Sequence, residues 1–309
     1  METARETVEV ESLPAQAAPT APAAPAATHA PRARVVLRPR SGWLALDLPE
    51  LWHYRELMFF LALRDVKLRY KQTYLGVAWA IIQPLFTMLV FTLFLGHLAH
   101  LDKETNGSYA VATFCALLPW QLFAYSLNQA GNSLVNNERL ITKVYFPRLL
   151  MPIASVLSGV LDIGIGVVIL LGMMLCRPHP ILPGWGIAFL PAFVLLAVLA
   201  AMSVGLWLSA LNVLYRDVRY AIPFLTQFWM FVSPVVYPLS LVSKLPPWAQ
   251  AVYALNPMVA VIEGFHWALL GDARPPVLPM AVSMAATMVL LVGGLYYFRR
   301  MERTFADVV

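Results

Sequence analysis

Few side chains in this sequence combine a titratable group with an apolar setting, and these are the residues that could do chemistry. Asp162 stands alone in the stretch SGVLDIGIGVV, and Glu263 and His266 lie in a second stretch, VIEGFHWALL. A carboxylate in a membrane-spanning helix costs about 2.5 to 3.5 kcal/mol on insertion scales, so it normally faces other helices or a polar cavity. A proton relay would need further buried ionisable partners, and the apolar stretches supply almost none. We therefore expect a structural or cavity-facing position for Asp162.

Aromatic residues accompany Glu263 and His266 in the sequence, namely Trp248, Tyr253, Phe265 and Trp267. Aromatic rings at a membrane boundary usually belong to the interfacial belt. Flat rings also stack on the faces of sugars when they line a polar passage. Both interpretations, an aromatic belt and a gate for a carbohydrate, remain open at this point.

Enzyme motifs are absent from the sequence, which contains no GxxxxGK[ST], HExxH, CxxC or GxSxG pattern. The two cysteines, Cys115 and Cys176, lie in or at the end of apolar stretches and have neither disulfide nor metal-ligand spacing. We expect no catalytic residue, no metal site and no cofactor in this chain.

The composition is that of an all-α integral membrane protein. The 309 residues are 60% hydrophobic and 13% charged, and the mean hydropathy is +0.67, more apolar surface than one water-soluble core can bury. The net charge of +5 does not indicate nucleic acid, because the basic residues flank apolar stretches instead of forming one patch. We predict six spans, at residues 77–98, 109–132, 149–176, 187–211, 222–237 and 277–298.

The distribution of Lys and Arg predicts the orientation. All of them fall on the N-terminal side of these six spans except Lys103, Arg177, Lys244 and Arg274, so the positive-inside rule places both termini in the cytoplasm. Residues 1–40 are rich in Ala and Pro, and we expect a disordered cytoplasmic tail there, without a signal peptide. Residues 299–309 form a cytoplasmic C-terminal tail, and residues 76–298 form the transmembrane domain.

The region before the first span, residues 41–75, contains a predicted amphipathic helix at residues 51–71. His53, Glu56, Arg64, Lys67 and Lys71 fall within about a quarter of its circumference at 100° per residue. Such a helix either anchors the chain on the anionic membrane surface or forms a docking surface for a partner. Asp65 and Arg69 have the i,i+4 spacing of a local ion pair.

The loop between the second and third spans, VNNERLITKVYFPRLLMP, predicts a short cytoplasmic helix. Asn136 or Asn137 is expected to cap this helix, Glu138 to favour its N-terminal dipole, and Pro147 to end it. Its apolar residues are expected to be exposed, either against lipid or in a groove of a soluble partner: Leu140, Ile141, Val144, Tyr145 and Phe146.

A long connection precedes the last span, and it predicts two short re-entrant or interfacial outer helices. Two apolar stretches, too short to span, flank Asn256 and Pro257. Pro257 is expected to begin the second helix at its first turn, and Gly271 to end it.

Four long motifs carry a resemblance to a known family: LALRDVKLRYKQTYLGVAWAIIQPLFTMLVFTLFLG, NNERLITKVYFPRLLMP, LNVLYRDVRYAIPFLTQFWMFVSPVVYP and LNPMVAVIEGFHWALLG. From about residue 51 to the C-terminus, the chain closely resembles the membrane subunit of bacterial ABC exporters for cell-surface polysaccharides, those that carry O-antigen, teichoic acid or capsule. The Ala/Pro-rich tail departs from the pattern.

The resemblance implies a homodimer of six-span subunits in the bacterial inner membrane, bound to two copies of a separate cytoplasmic ATPase. That ATPase would hold the ATP and Mg²⁺, and the cargo would be a lipid-linked polysaccharide, with O-antigen favoured. The other implied contacts are with membrane lipids, and nucleic acid is not among the partners.

The resemblance also implies three groups of functional residues. The interface helix would use Arg55, Arg64, Asp65, Lys67, Arg69, Tyr70 and Lys71. The coupling helix, residues 137–148, would rest on the ATPase through Asn137, Glu138, Arg139, Lys143, Tyr145, Phe146, Pro147 and Arg148. The outer gate helices, residues 247–271, would border the substrate path through Trp248, Tyr253, Asn256, Pro257, Glu263, Phe265 and Trp267.

Two alternatives remain open from the sequence. One is an ATP-independent flippase or carrier driven by an ion gradient, which requires intramembrane ionisable residues, and Asp162 is the clear candidate. The other is an exporter of a drug or small lipid that shares the same scaffold and differs in its cargo.

Overall fold

A computed structural model describes residues 48–71, 76–98, 109–271, 277–302 and 305, all within the structural unit Trp43–Val309. This described part is helical and contains no strand, which confirms the all-α prediction. The predicted N-terminal tail, residues 1–40, lies outside the described residues, as do Lys103, Arg274, Arg303 and residues 306–309 of the C-terminal tail.

Thirteen α-helices are present in the described ranges. In chain order they are α1 (Leu48–His53), α2 (Arg55–Lys71), α3 (Gly76–Phe91), α4 (Tyr109–Asn136), α5 (Glu138–Lys143), α6 (Leu150–Ser158), α7 (Val160–Leu175), α8 (Leu190–Leu214), α9 (Val218–Val232), α10 (Leu239–Val242), α11 (Pro247–Ala254), α12 (Pro257–Leu270) and α13 (Val277–Met301). A π-helical segment, Thr92–Leu98, continues α3, and a 3₁₀ turn, Trp185–Phe189, leads into α8.

Five of these helical stretches in the described residues are long and apolar enough to cross a bilayer: Ala78–His97, Tyr109–Asn136, Leu150–Leu175, Trp185–Leu214 and Val277–Met301. The predicted fifth span, residues 222–237, coincides with α9, which has 15 residues and ends before Ser233. At 1.5 Å per residue α9 is about 22 Å long, less than the roughly 30 Å of a hydrocarbon core. The count of six spans is therefore not confirmed and stays a prediction.

Helix α4 forms the centre of the bundle. Its Phe114, Phe123 and Leu127 are fully buried, and its neighbours are α3, α6, α7, α8, α9 and α12. Since lipid tails are as apolar as these side chains, close packing is what stabilises helix association in a membrane. The bundle is therefore assembled around α4 by contact and not by exclusion of water.

Glycines permit the closest of these contacts. A Cβ atom at Gly166 would lie 2.3 Å from Cδ2 of Leu118, and one at Gly159 would lie 2.8 Å from the Tyr125 ring, whereas a Cβ at Gly164 would meet no atom within 4 Å. Gly166 and Gly159 thus allow α7 and the end of α6 to approach α4. Gly164 lies in open space and is not needed for the approach of α7 to another helix.

Candidate functional site

The interface helix α2 packs against α6, with Leu61 buried. Glu56, Lys67 and Lys71 are exposed, as predicted for the charged stripe, but large apolar side chains are exposed beside them. The exposed apolar residues of α1 and α2 are Trp52, Phe59, Phe60 and Leu68. A surface that combines basic and apolar groups suits a helix at the boundary between lipid and water.

The predicted local ion pair of Asp65 and Arg69 is wrong. Asp65 accepts hydrogen bonds from its neighbour Arg64, at 3.0 Å from Nε and 2.9 Å from Nη2. Arg69 instead forms an ion pair with Asp162 of α7, and its guanidinium carbon lies 4.1 Å from the centre of the Tyr125 ring. The end of the interface helix is thereby attached to two helices of the bundle.

Tyr70 completes this attachment, because its hydroxyl donates a hydrogen bond to Oδ1 of Asp162. Burial, together with this bond to Asp162, raises the pKa of Tyr70 to about 12. The hydroxyl is therefore protonated near neutral pH and acts as a donor to the carboxylate. Asp162 is thus surrounded by a cation and a hydrogen-bond donor, both from the interface helix.

A cavity of about 500 Å³ lies beside this ion pair, between α3, α4, α7 and α9. Polar side chains from all four helices and from the end of α2 line it: Arg69, Gln83, Thr87, Gln121, Asn128, Asp162, Thr226 and Gln227. The aromatic residues Trp120 and Tyr125 also line it. The cavity-facing position expected for Asp162 agrees with this geometry.

The chemistry of the cavity is mainly that of neutral groups. Its two charged side chains, Arg69 and Asp162, are paired with each other. The remaining polar groups are amides and hydroxyls, which both donate and accept hydrogen bonds. Such a lining suits a neutral molecule with many hydrogen-bonding groups better than it suits an ion.

The coupling segment, residues 137–148, is only partly helical. Helix α5 spans Glu138–Lys143, and Val144 after it has extended backbone dihedrals. The predicted cap is wrong, because the Asn137 side chain makes no capping bond and donates instead to the carbonyl oxygen of Ser133 at 2.8 Å. A helix of six residues that ends at Lys143, and not at Pro147, therefore replaces the longer helix expected here.

The predicted exposure of all the apolar residues in this segment is also wrong. Ile141 and Phe146 are 7% and 5% exposed and belong to the core, and Pro147 is buried as well. Val144 and Tyr145 remain exposed, together with the charged side chains of Glu138, Arg139 and Lys143. One set of residues holds the segment against the bundle, and the other set is exposed at its surface.

Arg148 is the last residue of this segment, and it contacts Glu302, which directly follows α13. Its Nη1 donates to the backbone oxygen of Glu302, and its backbone N–H donates to Oε1 of Glu302 at 3.4 Å. Nη1 of Arg299 lies 3.0 Å from Oε2 of the same carboxylate. The sequence did not indicate Glu302 as a partner of Arg148, because the two residues are 154 positions apart. The local spacing of Arg299 and Glu302, i,i+3, indicates only the contact between those two residues.

The outer helices α11 and α12 agree with the prediction in their bounds. Pro257 occupies the first turn of α12, and Gly271 ends the helix with φ of +75°. Asn256 caps α12 by accepting a hydrogen bond from the backbone N–H of Met258 at 3.0 Å. This cap gives one of the otherwise unpaired N–H groups in the first turn of α12 its acceptor.

The residues predicted to border a substrate path separate into two groups. Trp248 is 72% exposed, whereas Asn256, Pro257, Glu263 and Phe265 are buried inside the subunit. The rings of Trp267 and Trp185 are 5.1 Å apart and lie at right angles, and Tyr253 lies 6.4 Å from the Tyr237 ring. Their role in a substrate path stays a prediction.

Comparison with known proteins gives a family match that covers most of the helices described above. Residues 56–270, from the interface helix to the end of α12, match the profile of the ABC-2 type transporter family. The chain belongs to this family. It is therefore a multi-pass membrane permease, and a permease has no ATPase activity of its own, in agreement with the lack of a phosphate-binding loop in the sequence.

Several curated proteins are similar over nearly their whole length. The O-antigen export system permease protein RfbA of Myxococcus xanthus is 27% identical over 84% of this chain and 98% of its own length. The protein of the same name from Klebsiella pneumoniae is 24% identical over 82% of this chain and 95% of its own length. The polysialic acid transport protein KpsM of Escherichia coli is 24% identical over 78% of this chain and 92% of its own length.

Proposed function

We propose that this permease is the membrane subunit of an ATP-driven exporter of lipid-linked polysaccharide, with O-antigen as the favoured cargo. The observation that carries the proposal is the similarity, over 92% or more of their lengths, to three proteins named for O-antigen export or polysialic acid transport. The family match over residues 56–270 includes most of the interface helix, the coupling segment and the outer helices.

The energy would come from a separate ATPase, two copies of which bind ATP and Mg²⁺ below a homodimer of this permease. The exposed part of the coupling segment, with Glu138, Arg139, Lys143, Val144 and Tyr145, is the proposed contact with that ATPase. Closure of the ATPase around ATP would displace this segment and the helices attached to it. This contact with the ATPase would lie on the cytoplasmic side of the bacterial inner membrane, where both termini also lie.

The cavity between α3, α4, α7 and α9 is the proposed place of contact with the glycan. Its amides and hydroxyls would form hydrogen bonds with sugar hydroxyls. Aromatic and aliphatic side chains are exposed along the adjacent faces of α3 and α9, among them Trp79, Phe86, Phe224 and Phe228. We assign these faces to contacts with lipid and with the second subunit of the homodimer.

The decisive experiment is reconstitution of the permease with its ATPase in inside-out vesicles, supplied with a polyprenyl-linked O-polysaccharide. We expect stable co-purification, ATP hydrolysis that increases with the lipid-linked glycan, and ATP-dependent uptake of the glycan. The permease alone is expected to transport nothing. Uphill uptake by the permease without the ATPase, or failure of the two proteins to associate, would overturn the proposal.

Variants of the cavity test the assignment of the glycan. The double substitution Gln121→Leu and Gln227→Leu removes two amides from the lining, and we expect uptake to decrease at least tenfold while association with the ATPase is retained. Asn136→Leu is the control, since Asn136 is an exposed amide that lies on α4 as Gln121 does but outside the lining. Equal uptake in both variants would contradict a role of the cavity in glycan binding.

The structure bears on the carrier alternative as well. Asp162, the residue that motivated an ion-driven mechanism, is occupied by Arg69 and Tyr70 of the interface helix. Both of its carboxylate oxygens therefore take part in attaching the interface helix, which favours a structural role over an ion-driven mechanism. The exporter of a drug or small lipid differs from our proposal in cargo, and the uptake assay separates the two.

A further inference from the structure

The contact between Arg148 and Glu302 joins the coupling segment to the last span. Glu302 follows directly on α13, and it accepts hydrogen bonds from Arg148 through both its backbone and its side chain. Arg299, one turn earlier, holds the carboxylate in place at 3.0 Å. Displacement of the coupling segment would therefore act directly on the end of α13.

Helix α13 is supported along its length by α8. The Trp207 ring stacks on Tyr297 at 4.9 Å with an interplanar angle of 13°, and its Nε1 donates to the carbonyl oxygen of Leu290 at 3.1 Å. A Cβ atom at Gly293 or Gly294 would lie 3.0 Å from the Trp207 ring. These contacts hold the second half of α13 against α8.

The opposite end of α13 holds the first turn of the outer helix α12. The fully buried Ser283 donates to the carbonyl oxygen of Asn256 at 2.6 Å and accepts from the backbone N–H of Ala260 at 3.1 Å. Glu302 lies nineteen positions after Ser283 in the sequence, which is about 28 Å along a helix at 1.5 Å per residue. One continuous helix therefore connects the coupling segment with α12.

Asn256 extends the connection to α9. Its side chain accepts from Nε1 of Trp229 at 3.0 Å and donates to Oγ of Ser233 at 2.9 Å. The N-terminal turn of α12 is thus bonded to α13 on one side and to the end of α9 on the other. Movement of α13 would therefore be passed to α12 and, through Asn256, to the end of α9, which borders the cavity.

We propose that Glu302 and Ser283 are positioning residues that make α13 a strut between the coupling segment and the outer helices. The strut transfers displacement from the ATPase side to α11 and α12 without passing through the central helix α4. This inference rests on the proposed function, since it assumes that a partner displaces the coupling segment. Secondary elements that are bonded to both sites are among the structures that carry coupling between distant sites, and α13 is bonded to both the coupling segment and α12.

The test compares Ser283→Ala with Thr287→Val in the reconstituted complex. Thr287 is also fully buried on α13, one turn away, but its hydroxyl bonds to the Ser283 carbonyl oxygen of the same helix at 2.9 Å. We expect Ser283→Ala to retain ATP hydrolysis within twofold and to lose at least tenfold in glycan uptake. Thr287→Val should retain both within twofold.

The second variant acts at the other end of the strut. Glu302→Ala removes the side-chain contacts with Arg148 and Arg299, and because this side chain is 20% exposed its loss leaves no deep cavity. We expect the same separation of hydrolysis from uptake. Asp217→Ala, which removes an exposed carboxylate at the start of α9, is the control.

Movement of the outer helices can be measured directly with a thiol reporter. Val252→Cys places the thiol on the exposed face of α11, in a background where the exposed Cys176 is replaced by Ser. In the otherwise native complex and in Thr287→Val, ATP should change the rate of maleimide labelling at least threefold. In Ser283→Ala and Glu302→Ala, the change should fall below 1.5-fold.

The outcomes separate the strut from the proposed function. If the native complex takes up glycan and both Ser283→Ala and Glu302→Ala keep full uptake and the native labelling change, the strut is overturned and the proposed function stands. If the native complex takes up no glycan, the proposed function fails independently of these variants. If Ser283→Ala does not fold, Glu302→Ala still decides the question.

Discussion

The interface helix α2 and the outer helix α12 are attached to the same bundle by opposite chemistry. The polar attachment of α2 is the group of Arg69, Tyr70 and Asp162, in which Arg69 and Asp162 are 33% and 21% exposed. The attachment of α12 consists of neutral hydrogen bonds around Asn256 and Ser283, which are 9% and 0% exposed.

The difference follows from the cost of charge at low dielectric. A partly exposed ion pair retains some hydration and can be broken and remade at modest cost, whereas a fully buried charge without its partner is expensive. Neutral hydrogen bonds avoid that cost and are costly to leave unmade once buried. The chemistry therefore favours an adjustable contact at α2 and a fixed one at α12.

The largest expected effect is at Asn256. Asn256→Ala leaves the buried donors of Trp229 and Met258 without their acceptor, and we expect the free energy of unfolding to fall by about 2 to 3 kcal/mol. Asn128→Ala is the control, because its amide bonds to the Ala124 carbonyl oxygen within α4 at 2.9 Å. Thermal denaturation in detergent micelles should show the larger decrease for Asn256→Ala. Equal decreases would show that α12 does not depend on this network.

The second largest expected loss of stability is at the ion pair of Arg69 and Asp162, which attaches α2. Asp162→Asn leaves Arg69 without its carboxylate, and because Arg69 can move toward water we expect a loss of only about 1 to 2 kcal/mol. Asp65→Asn breaks a pair between adjacent residues, with a side chain of similar exposure, and should cost less than about 1 kcal/mol. Thermal denaturation in detergent micelles measures both losses. If Asp162→Asn lost no more stability than Asp65→Asn, the ion pair would not be an attachment of α2.

Helix packing in the bundle predicts smaller changes in the free energy of unfolding, with opposite signs at two glycines of α7. Gly166→Ala forces the buried Leu118 to move, at a cost of about 1 kcal/mol or more. Gly164→Ala meets open space and should stabilise α7 by about 0.5 to 1 kcal/mol through helix propensity. Unfolding midpoints that shift in the same direction for both would contradict the close approach of α7 to α4.

The smallest effect is a pH dependence at the end of α2. The pKa of Tyr70, raised to about 12 by burial and by Asp162, exceeds the value of about 10 in an unfolded chain. Its contribution to stability is therefore complete below pH 10 and lost as the pH rises through about 12. The absorbance difference between the native chain and Tyr70→Phe during alkaline titration should show a tyrosinate step near pH 12, and a step near pH 10 would contradict the bond to Asp162.

Local signals in the sequence were sufficient for much of the fold. Hydropathy determined the membrane-embedded helical class, and five of the six predicted spans coincide with long apolar helices of the described residues. Pro257 and Gly271 marked the ends of α12, because each acts on its own backbone. Features of this kind depend on a few neighbouring residues, so a sequence contains them directly.

The contacts of the candidate site were decided by the tertiary structure. The sequence paired Arg69 with Asp65, but the fold brings it to Asp162, and the fold brings Arg148 to Glu302 at the far end of the chain. Ile141 and Phe146 are buried, although the loop pattern indicated exposure. Spans that are apolar on nearly every face have no periodicity that shows which face meets which neighbour, so the cavity, the ion pairs and the buried side of the coupling segment exist only once the helices have packed.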